Sequence, residues 1–436
     1  MSRQNISYVR SEMLPQREPP VSQVGAIGWM RENLFGGVLN SVLTVLSLAA
    51  ILFLVYEIGP WLMRSVWNAD SLTECREILL GQSGACWGVI NDRWSQLLFG
   101  FYPSGSIEGE HDLRWRPVVA LILMFVALWP ILFPSAPRKA LWFSAVFPFI
   151  AFFLLWGGSI WNPLVVAAGF VIGYVALRTT ASMGVLIATG ATIIAPILWW
   201  LFLAGPVDDA LTSALPIGIE AVETQKFGGF MLSIIIGVTG IALSLPLGIL
   251  LALGRQSSMP LLKYVSVGFI EFVRGVPLIT LLFTASLLLN YFLPPGTNFD
   301  LILRVIIMVT LFAAAYMAEV IRGGLAALPR GQYEAADALG LDYWKAQRLI
   351  IMPQALKISI PGIVSTFIGL FKDTTLVVFI GLLDPIGLAS AIRANSDWQG
   401  IYWELFIFIG AIFWVFCFGM SRYSMYLERR LKTDHR

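Results

Sequence analysis

Lys372 and Asp373 stand side by side inside an apolar stretch that starts near Ile358. If that stretch is helical, about fourteen residues separate them from its start, roughly 21 Å along the axis. Ionised groups at such a depth in hydrocarbon cost at least a few kcal/mol unless they are paired or wetted. Neighbours at i and i+1 diverge on a helix, so each needs its own partner, or the backbone is irregular there and lines a cavity. Two readings stand. Lys372, Asp373, Thr374 and Thr375 border a translocation path or its outer gate, or the charges brace helices or dimer halves. Thr280, Thr284, Asn290, Thr310 and Tyr316 are the other polar groups in apolar runs. Such residues hydrogen-bond a polar ligand or, more commonly, join helices; Thr284 and Asn290 are the further candidates for the path.

Other charges read more simply. Glu271 and Arg274 are three apart, as are Glu319 and Arg322, the spacing of neighbours on one helix face, and both read as interface ion pairs. His111 and His435 fall in a loop and a tail, which leaves a metal site without support. No glycine-lysine phosphate loop and no nucleophile with its base is visible, so the chain is not expected to hydrolyse ATP or to hold a cofactor.

The elements that position these groups follow from composition. Of 436 residues, 57% are hydrophobic and 13% charged, against about 25% charged in an ordinary soluble domain. Several apolar runs reach the roughly 18 to 20 residues that span a bilayer as helix, and no alternating pattern suggests a β-barrel. The fold class is therefore all-α, a polytopic membrane protein. A net charge of +2 gives no reason for a nucleic-acid partner, and lysine and arginine matter here by position. Residues 1–33 are polar and lack the pattern of a removable signal peptide.

Candidate spans run from Leu34 to Leu62, Pro117 to Phe133, Leu141 to Trp156, Leu164 to Leu177 and Val185 to Leu203. Phe227 to Leu253 is a sixth, and Leu261 to Phe292 is interrupted at Gly275-Val276-Pro277, leaving Pro277 to Phe292 as the span proper. Leu301 to Ile321, Ile358 to Leu383 and Tyr402 to Met420 complete about ten. Basic residues place both termini in the cytoplasm. The acidic segment 205–226 and the loop 64–116 then lie outside. Cys75 and Cys86 in that loop form a disulfide or remain two thiols; closing it would contribute on the order of 3 kcal/mol in the entropic model. Cys417, in an apolar run, reads as packing.

One polar island remains, Pro329 to Pro361. Its local rules are clear: a helix after Pro329, a left-handed end at Gly340, an Asp342 cap, and a second helix from Tyr343 to Met352 stopped near Pro353. Glu334, Asp337 and Asp342 make the front acidic; Lys345, Arg348 and Lys357 make the back basic.

The island's Glu334-Ala335-Ala336, Gly340, Ile350 and Pro353 resemble the EAA loop of ABC importer permeases. Glu271-Phe272-Val273-Arg274-Gly275-Val276-Pro277-Leu278 resembles the E-x-x-R-G-x-P-L element of polar amino acid permeases, and Ala318-Glu319-Val320-Ile321-Arg322-Gly323-Gly324 the approach to their loop. Lys372-Asp373-Thr374-Thr375-Leu376 resembles their K-D-[ST]-[ST]-L element, and the long amino-terminal half is similar to the larger permease of general L-amino-acid importers.

The resemblance implies a bacterial inner-membrane subunit that moves amino acids inward by alternating access. It implies a second permease, a periplasmic amino-acid-binding protein and a cytosolic ABC ATPase dimer, which binds ATP and Mg. Glu334, Ala335, Ala336, Gly340, Asp342, Ile350 and Pro353 would receive the ATPase. The expected organisation is a cytoplasmic segment 1–33, extra helices 34–204, a periplasmic loop 205–226, a permease core 227–423 with the loop at 329–357, and a cytoplasmic tail 424–436. The competing class, an ion-gradient-driven secondary transporter or channel, accounts for Lys372 and Asp373 and leaves the island unexplained.

Overall fold

Apolar runs too long and too continuous for a water-soluble core become helices here, because a helix satisfies all its own backbone groups in lipid. The structure is a computed structural model and describes residues 25–105, 111–133, 135–288, 291 and 300–431. Among the described residues, nine helical stretches are long and apolar enough to cross a membrane, or ten with one bent pair counted as a span. The described residues divide into two compact units: those up to 69 with 73–88, and 70–72 with those from 89 onward.

In the first unit, α1 (Gly25–Asn33) precedes α2 (Val38–Met63), a 26-residue helix with no buried residue. Beyond it the chain folds back, Ala85 N–H donating to Trp61 O (2.9 Å) and Val66 N–H to Ala85 O (2.8 Å). Trp67 and Trp87 stack at 5.6 Å. Cys75 on α3 (Leu72–Ile78) is joined to Cys86 in a disulfide, Cα to Cα 6.1 Å, and both are buried.

The second unit runs through α4 (Gly88–Phe99), α5 (Trp115–Leu132), α6 (Leu141–Trp156), α7 (Trp161–Thr180), α8 (Val185–Leu198) and α9 (Ala204–Ala214). It continues with α10 (Gly229–Gln256), α11 (Pro260–Gly275), α12 (Leu278–Phe283), α13 (Leu301–Ala326), α14 (Arg330–Ala338) and α15 (Tyr343–Ala346). It closes with α16 (Met352–Asp373), α17 (Pro385–Ala394) and α18 (Trp403–Leu431). A two-residue antiparallel ladder, Gly158–Ser159 on Gly218–Ile219, is the one named sheet among the described residues.

Several boundaries differ from the sequence reading, and prolines explain most of them. The fifth span does not end at Leu203: a π turn at Trp199–Leu203 leads into α9, so Asp208 and Asp209 sit on helix rather than in a loop. Pro353 does not stop the helix after α15. A π turn at Gln347–Ile351 precedes it, and the rod continues through Pro353 and Pro361 to a 3₁₀ turn at Thr374–Ile380. A wide turn shifts the bonding register just where proline lacks its N–H, so the helix passes on instead of ending. Where no such turn intervenes, at Gly275-Val276-Pro277, the chain bends by 105°. The last helix also runs further than expected, through Arg422 to Leu431.

Small residues let α10 and α13 approach closely, as helices in lipid require. A Cβ at Gly248 would lie 2.6 Å from the Met317 Cβ. Two core clusters flank this contact. One holds Leu232, Ile236, Val305, Val309, Leu370 and Val377; the other holds Ala252, Ile270, Met317, Ile321, Ile351 and Ala355. The second lies toward α14 and α15 and marks the loop end of the bundle. The first lies toward the opposite, far end, where loops meet: Gly229 N–H donates to Leu383 O (2.8 Å), and Tyr102 O–H to Leu155 O (2.7 Å). Burial pushes the Tyr102 phenol up to about 12, against the pull of Arg116.

Candidate functional site

The loop end is built by local rules that act together. Gly340 has φ 66°, and the turn after α14 closes with Gly340 N–H to Asp337 O (2.9 Å) and Leu341 N–H to Ala336 O (3.2 Å), the paired bonds of a Schellman end. Asp342 then caps α15, its Oδ1 accepting from Lys345 N–H at 2.9 Å. That backbone donor, with the Lys345 ammonium 3.3 Å away, holds the exposed Asp342 carboxyl below its usual range. Ala336 is buried, Ile350 packs partly against the loop-end core, and Gln354 Nε2 donates to Gln332 Oε1 at 2.9 Å. The two short helices are thereby tied to the foot of α16.

Glu334, Ala335, Gly340 and Pro353 are not buried on this loop. Leu339, Tyr343, Trp344 and Leu349 stand out further, 72%, 52%, 66% and 64% exposed. These four were not singled out in the sequence, where one more leucine or tryptophan in a greasy chain reads as core. Their alternation with charges on two short helices was the available signal. The loop presents an apolar crown flanked by charge, rather than small residues alone.

Asp373 lines a cavity of about 280 Å³ with Phe312, Tyr316, Ser365, Thr366 and Gly369, between α13 and α16. That is room for on the order of nine waters at liquid density, enough for a small amino acid. Asp373 is the last residue of α16, and the 3₁₀ turn beginning at Thr374 is the irregular backbone that two adjacent charges demanded. Lys372 is exposed; Thr374 and Thr375 return their hydroxyls to Phe371 O and Lys372 O, both at 2.8 Å. Thr284 bonds its own helix at Thr280 O (2.9 Å) and lines neither this cavity nor the larger one at the far end, and Asn290 lies outside the described residues. Of the path candidates the structure therefore brings Asp373 to the cavity, with Tyr316 added.

The larger cavity, about 580 Å³, opens at the far end beside Thr224, Asp300, Arg304 and Leu383. Asp300 caps α13 through Leu303 N–H (3.1 Å) and accepts from Thr224 O–H (2.5 Å). Nearby, the wholly buried Asp384 caps α17, accepting from Gly387 N–H at 2.9 Å and Ile386 N–H at 3.2 Å. Burial pushes its carboxyl up to about 6, opposed by those N–H groups.

The ion pairs sort differently from the spacing. Glu319 and Arg322 do pair within α13. Glu271 and Arg274, however, turn away from each other: Glu271 meets Arg255 of α10 at 2.9 Å, and Arg274 approaches Glu319 at 3.6 Å. The reason is packing. α10, α11 and α13 converge here, and partners on neighbouring helices lie nearer than the next turn.

Nine to ten apolar helices among the described residues, a half-open cavity between α13 and α16 and a polar helical loop after α13 are the features of a membrane permease. Residues 244–433 match the family described as binding-protein-dependent transport system inner membrane component. The chain is 62% identical over 437 residues, 99% of each chain, to the glutamate/glutamine/aspartate/asparagine transport system permease protein BztC of Rhodobacter capsulatus. It is 39% identical over 424 residues, 96% of each, to the inner membrane amino-acid ABC transporter permease protein YhdY of Escherichia coli K12. A crystal structure of an amino acid ABC transporter with histidines is 31% identical, covering 46% of this chain and 91% of that one, with a TM-score of 0.42. The chain belongs to the family of amino-acid ABC transporter permeases. It is a multi-pass inner-membrane permease subunit of an amino-acid importer, and the ATPase activity lies in a partner subunit.

Proposed function

We propose that this subunit carries glutamate, glutamine, aspartate and asparagine across the inner membrane toward the end that bears α14 and α15. The substrate class rests on full-length likeness to the Rhodobacter capsulatus permease, whose name specifies those four. One observation carries the mechanism. The helical segments from Tyr343 to Ile380 run on as one span, through a π turn at Gln347–Ile351 and into a 3₁₀ turn at Thr374, so the exposed loop and the cavity residue Asp373 belong to one continuous stretch of helix. A push received at the loop is delivered to the cavity, as rigid-body switching requires.

In this reading the ATPase dimer seats against Leu339, Trp344 and Leu349, with Glu334, Ala335, Ala336, Gly340, Asp342, Ile350 and Pro353 shaping the socket; ATP and Mg bind in the ATPase. Arg255, Arg274, Arg322, Lys345 and Arg348 lie in the segments at the loop end, which supports reading it, and with it both termini, as cytoplasmic. The far end, with the larger cavity, then faces the periplasm and receives substrate from a binding protein. The Cys75–Cys86 loop, one crossing away from a cytoplasmic amino terminus, is periplasmic by the same count. A second permease completes the path around the core at 227–423, to which 34–204 adds the extra helices.

The test is ATP-driven uptake of labelled L-glutamate in proteoliposomes holding the whole transporter, competed by a panel of L-amino acids. Competition by glutamine, aspartate and asparagine is expected. Uptake that ignores vanadate and collapses with ionophores would overturn the reading.

A further inference from the structure

Two sequence motifs, at 271–278 and 318–324, take no part in the loop or the cavity, yet the fold brings them together. Arg255, Glu271, Arg274, Glu319 and Arg322 form one cluster between the cavity and the loop. Three guanidiniums face two carboxylates, one positive charge in excess. Arg322 makes two hydrogen bonds to Glu319 Oε1, and Arg255 is shared between Glu271 (2.9 Å) and Glu319 Oε2 (3.4 Å).

Arg274 is held most loosely. Among the described residues its one ion-pair contact is 3.6 Å, outside hydrogen-bond length, and its buried Nε has no hydrogen-bond partner. A buried guanidinium donor without a partner favours any planar acceptor that reaches it, and a carboxylate fits the guanidinium fork in bidentate fashion. The side chain is still 33% exposed. The guanidinium stands 5.7 Å over the ring of Tyr316, which also lines the cavity with Asp373. Arg274 sits at the end of α11, immediately before the 105° bend at Gly275–Pro277.

We propose that Arg274 is an exit-side carboxylate station: an amino acid leaving the Tyr316–Asp373 cavity toward the loop is received by its α-carboxylate on the Arg274 guanidinium, which releases Glu319. The exchange is one of ion-pair partners, without bond making. The surplus positive charge of the cluster favours the incoming carboxylate, and Glu319 keeps Arg322 and Arg255 while Arg274 is away. This rests on the proposed inward transport of amino acids.

The experiment uses proteoliposomes of the complete transporter with ATP in the lumen on the loop side. The lumen is loaded with unlabelled L-glutamine or L-glutamine α-amide while uptake of labelled L-glutamine is followed. Luminal glutamine is expected to slow the wild type, and the α-amide is not. Arg274→Gln should raise the half-inhibitory luminal concentration by about tenfold or more, the loss of a charge-assisted contact. Arg274→Lys keeps the charge and the brace on Tyr316 but not the fork, and should fall between. Wild-type sensitivity in both variants, equal slowing by the α-amide, or no slowing of the wild type would each overturn the station. Absence of any ATP-driven glutamine uptake by the wild type would sink the transport reading and the station with it.

Discussion

Gln354, in the first turn of α16, donates its amide Nε2–H to the Oε1 of Gln332 in α14 at 2.9 Å, twenty-two positions away in sequence. This bond fastens α14 to the rod that reaches Asp373. Gln354→Ala should cost about 1 kcal/mol locally and leave the protein in the membrane. Uptake per ATP hydrolysed should fall several-fold while ATPase activity is kept. Unchanged stoichiometry would mean that the tie carries no force.

Gly340 has φ 66°, and a Cβ placed there would meet nothing within 4 Å, so backbone conformation alone restricts it. A β-branched residue at this position costs on the order of 1–3 kcal/mol, and an asparagine less. Gly340→Val should insert normally and uncouple ATP hydrolysis from uptake by backbone strain, Gly340→Asp should do so less severely through the charge it adds to the exposed turn, and Gly340→Asn, without that charge, should retain most uptake. Parallel uptake and ATPase assays separate the three.

Asp373 is the acidic group in the cavity wall. Asp373→Asn preserves its shape and removes its charge. If it touches substrate, uptake drops by about tenfold or more while the complex still co-purifies with its ATPase. Normal uptake with impaired assembly would make Asp373 a brace between helices.

Asp384 sets a pH dependence. Its folded carboxyl titrates near 6 against an ordinary 3.8, so the fold binds this proton more tightly than the unfolded chain. Its contribution is therefore fully present below about 4 and lost as pH rises to 6, on the order of 2–3 kcal/mol at most. Asp384→Asn retains an acceptor for the α17 cap and has no charge to desolvate. In detergent, the difference in melting temperature between variant and wild type should grow in the variant's favour from pH 4.5 to pH 7. A difference flat with pH would refute it.

The Cys75–Cys86 bond closes a short loop whose two cysteines are buried. Before reduction, a maleimide applied to the denatured protein should label Cys417 alone, and after reduction all three cysteines. Three labels without reductant would place two free thiols here. The double serine variant should lose about 3 kcal/mol of local stability in the entropic account.

Much of the loop was legible from residues alone. The left-handed end at Gly340 and the Asp342 cap are consequences of φ and of a carboxylate within reach of an N–H, decided within a few residues of chain. The pairing of Arg274 was not legible. Spacing offered Glu271, three residues away, but three converging helices offered Glu319 at 3.6 Å. The stop expected at Pro353 failed for a related reason: a π turn absorbs the missing N–H and the rod continues.

Hydrophobic run lengths, charge placement and the four motifs were enough to establish an all-α membrane permease with a polar helix-turn-helix loop, because bilayer thickness and capping chemistry act on contiguous residues. Which of Lys372 and Asp373 lines a cavity, that Tyr316 joins it, and that Leu339, Trp344 and Leu349 form an exposed crown were settled by packing. Those outcomes depend on which helix faces press together, and residues far apart in the chain compete for the same few ångströms.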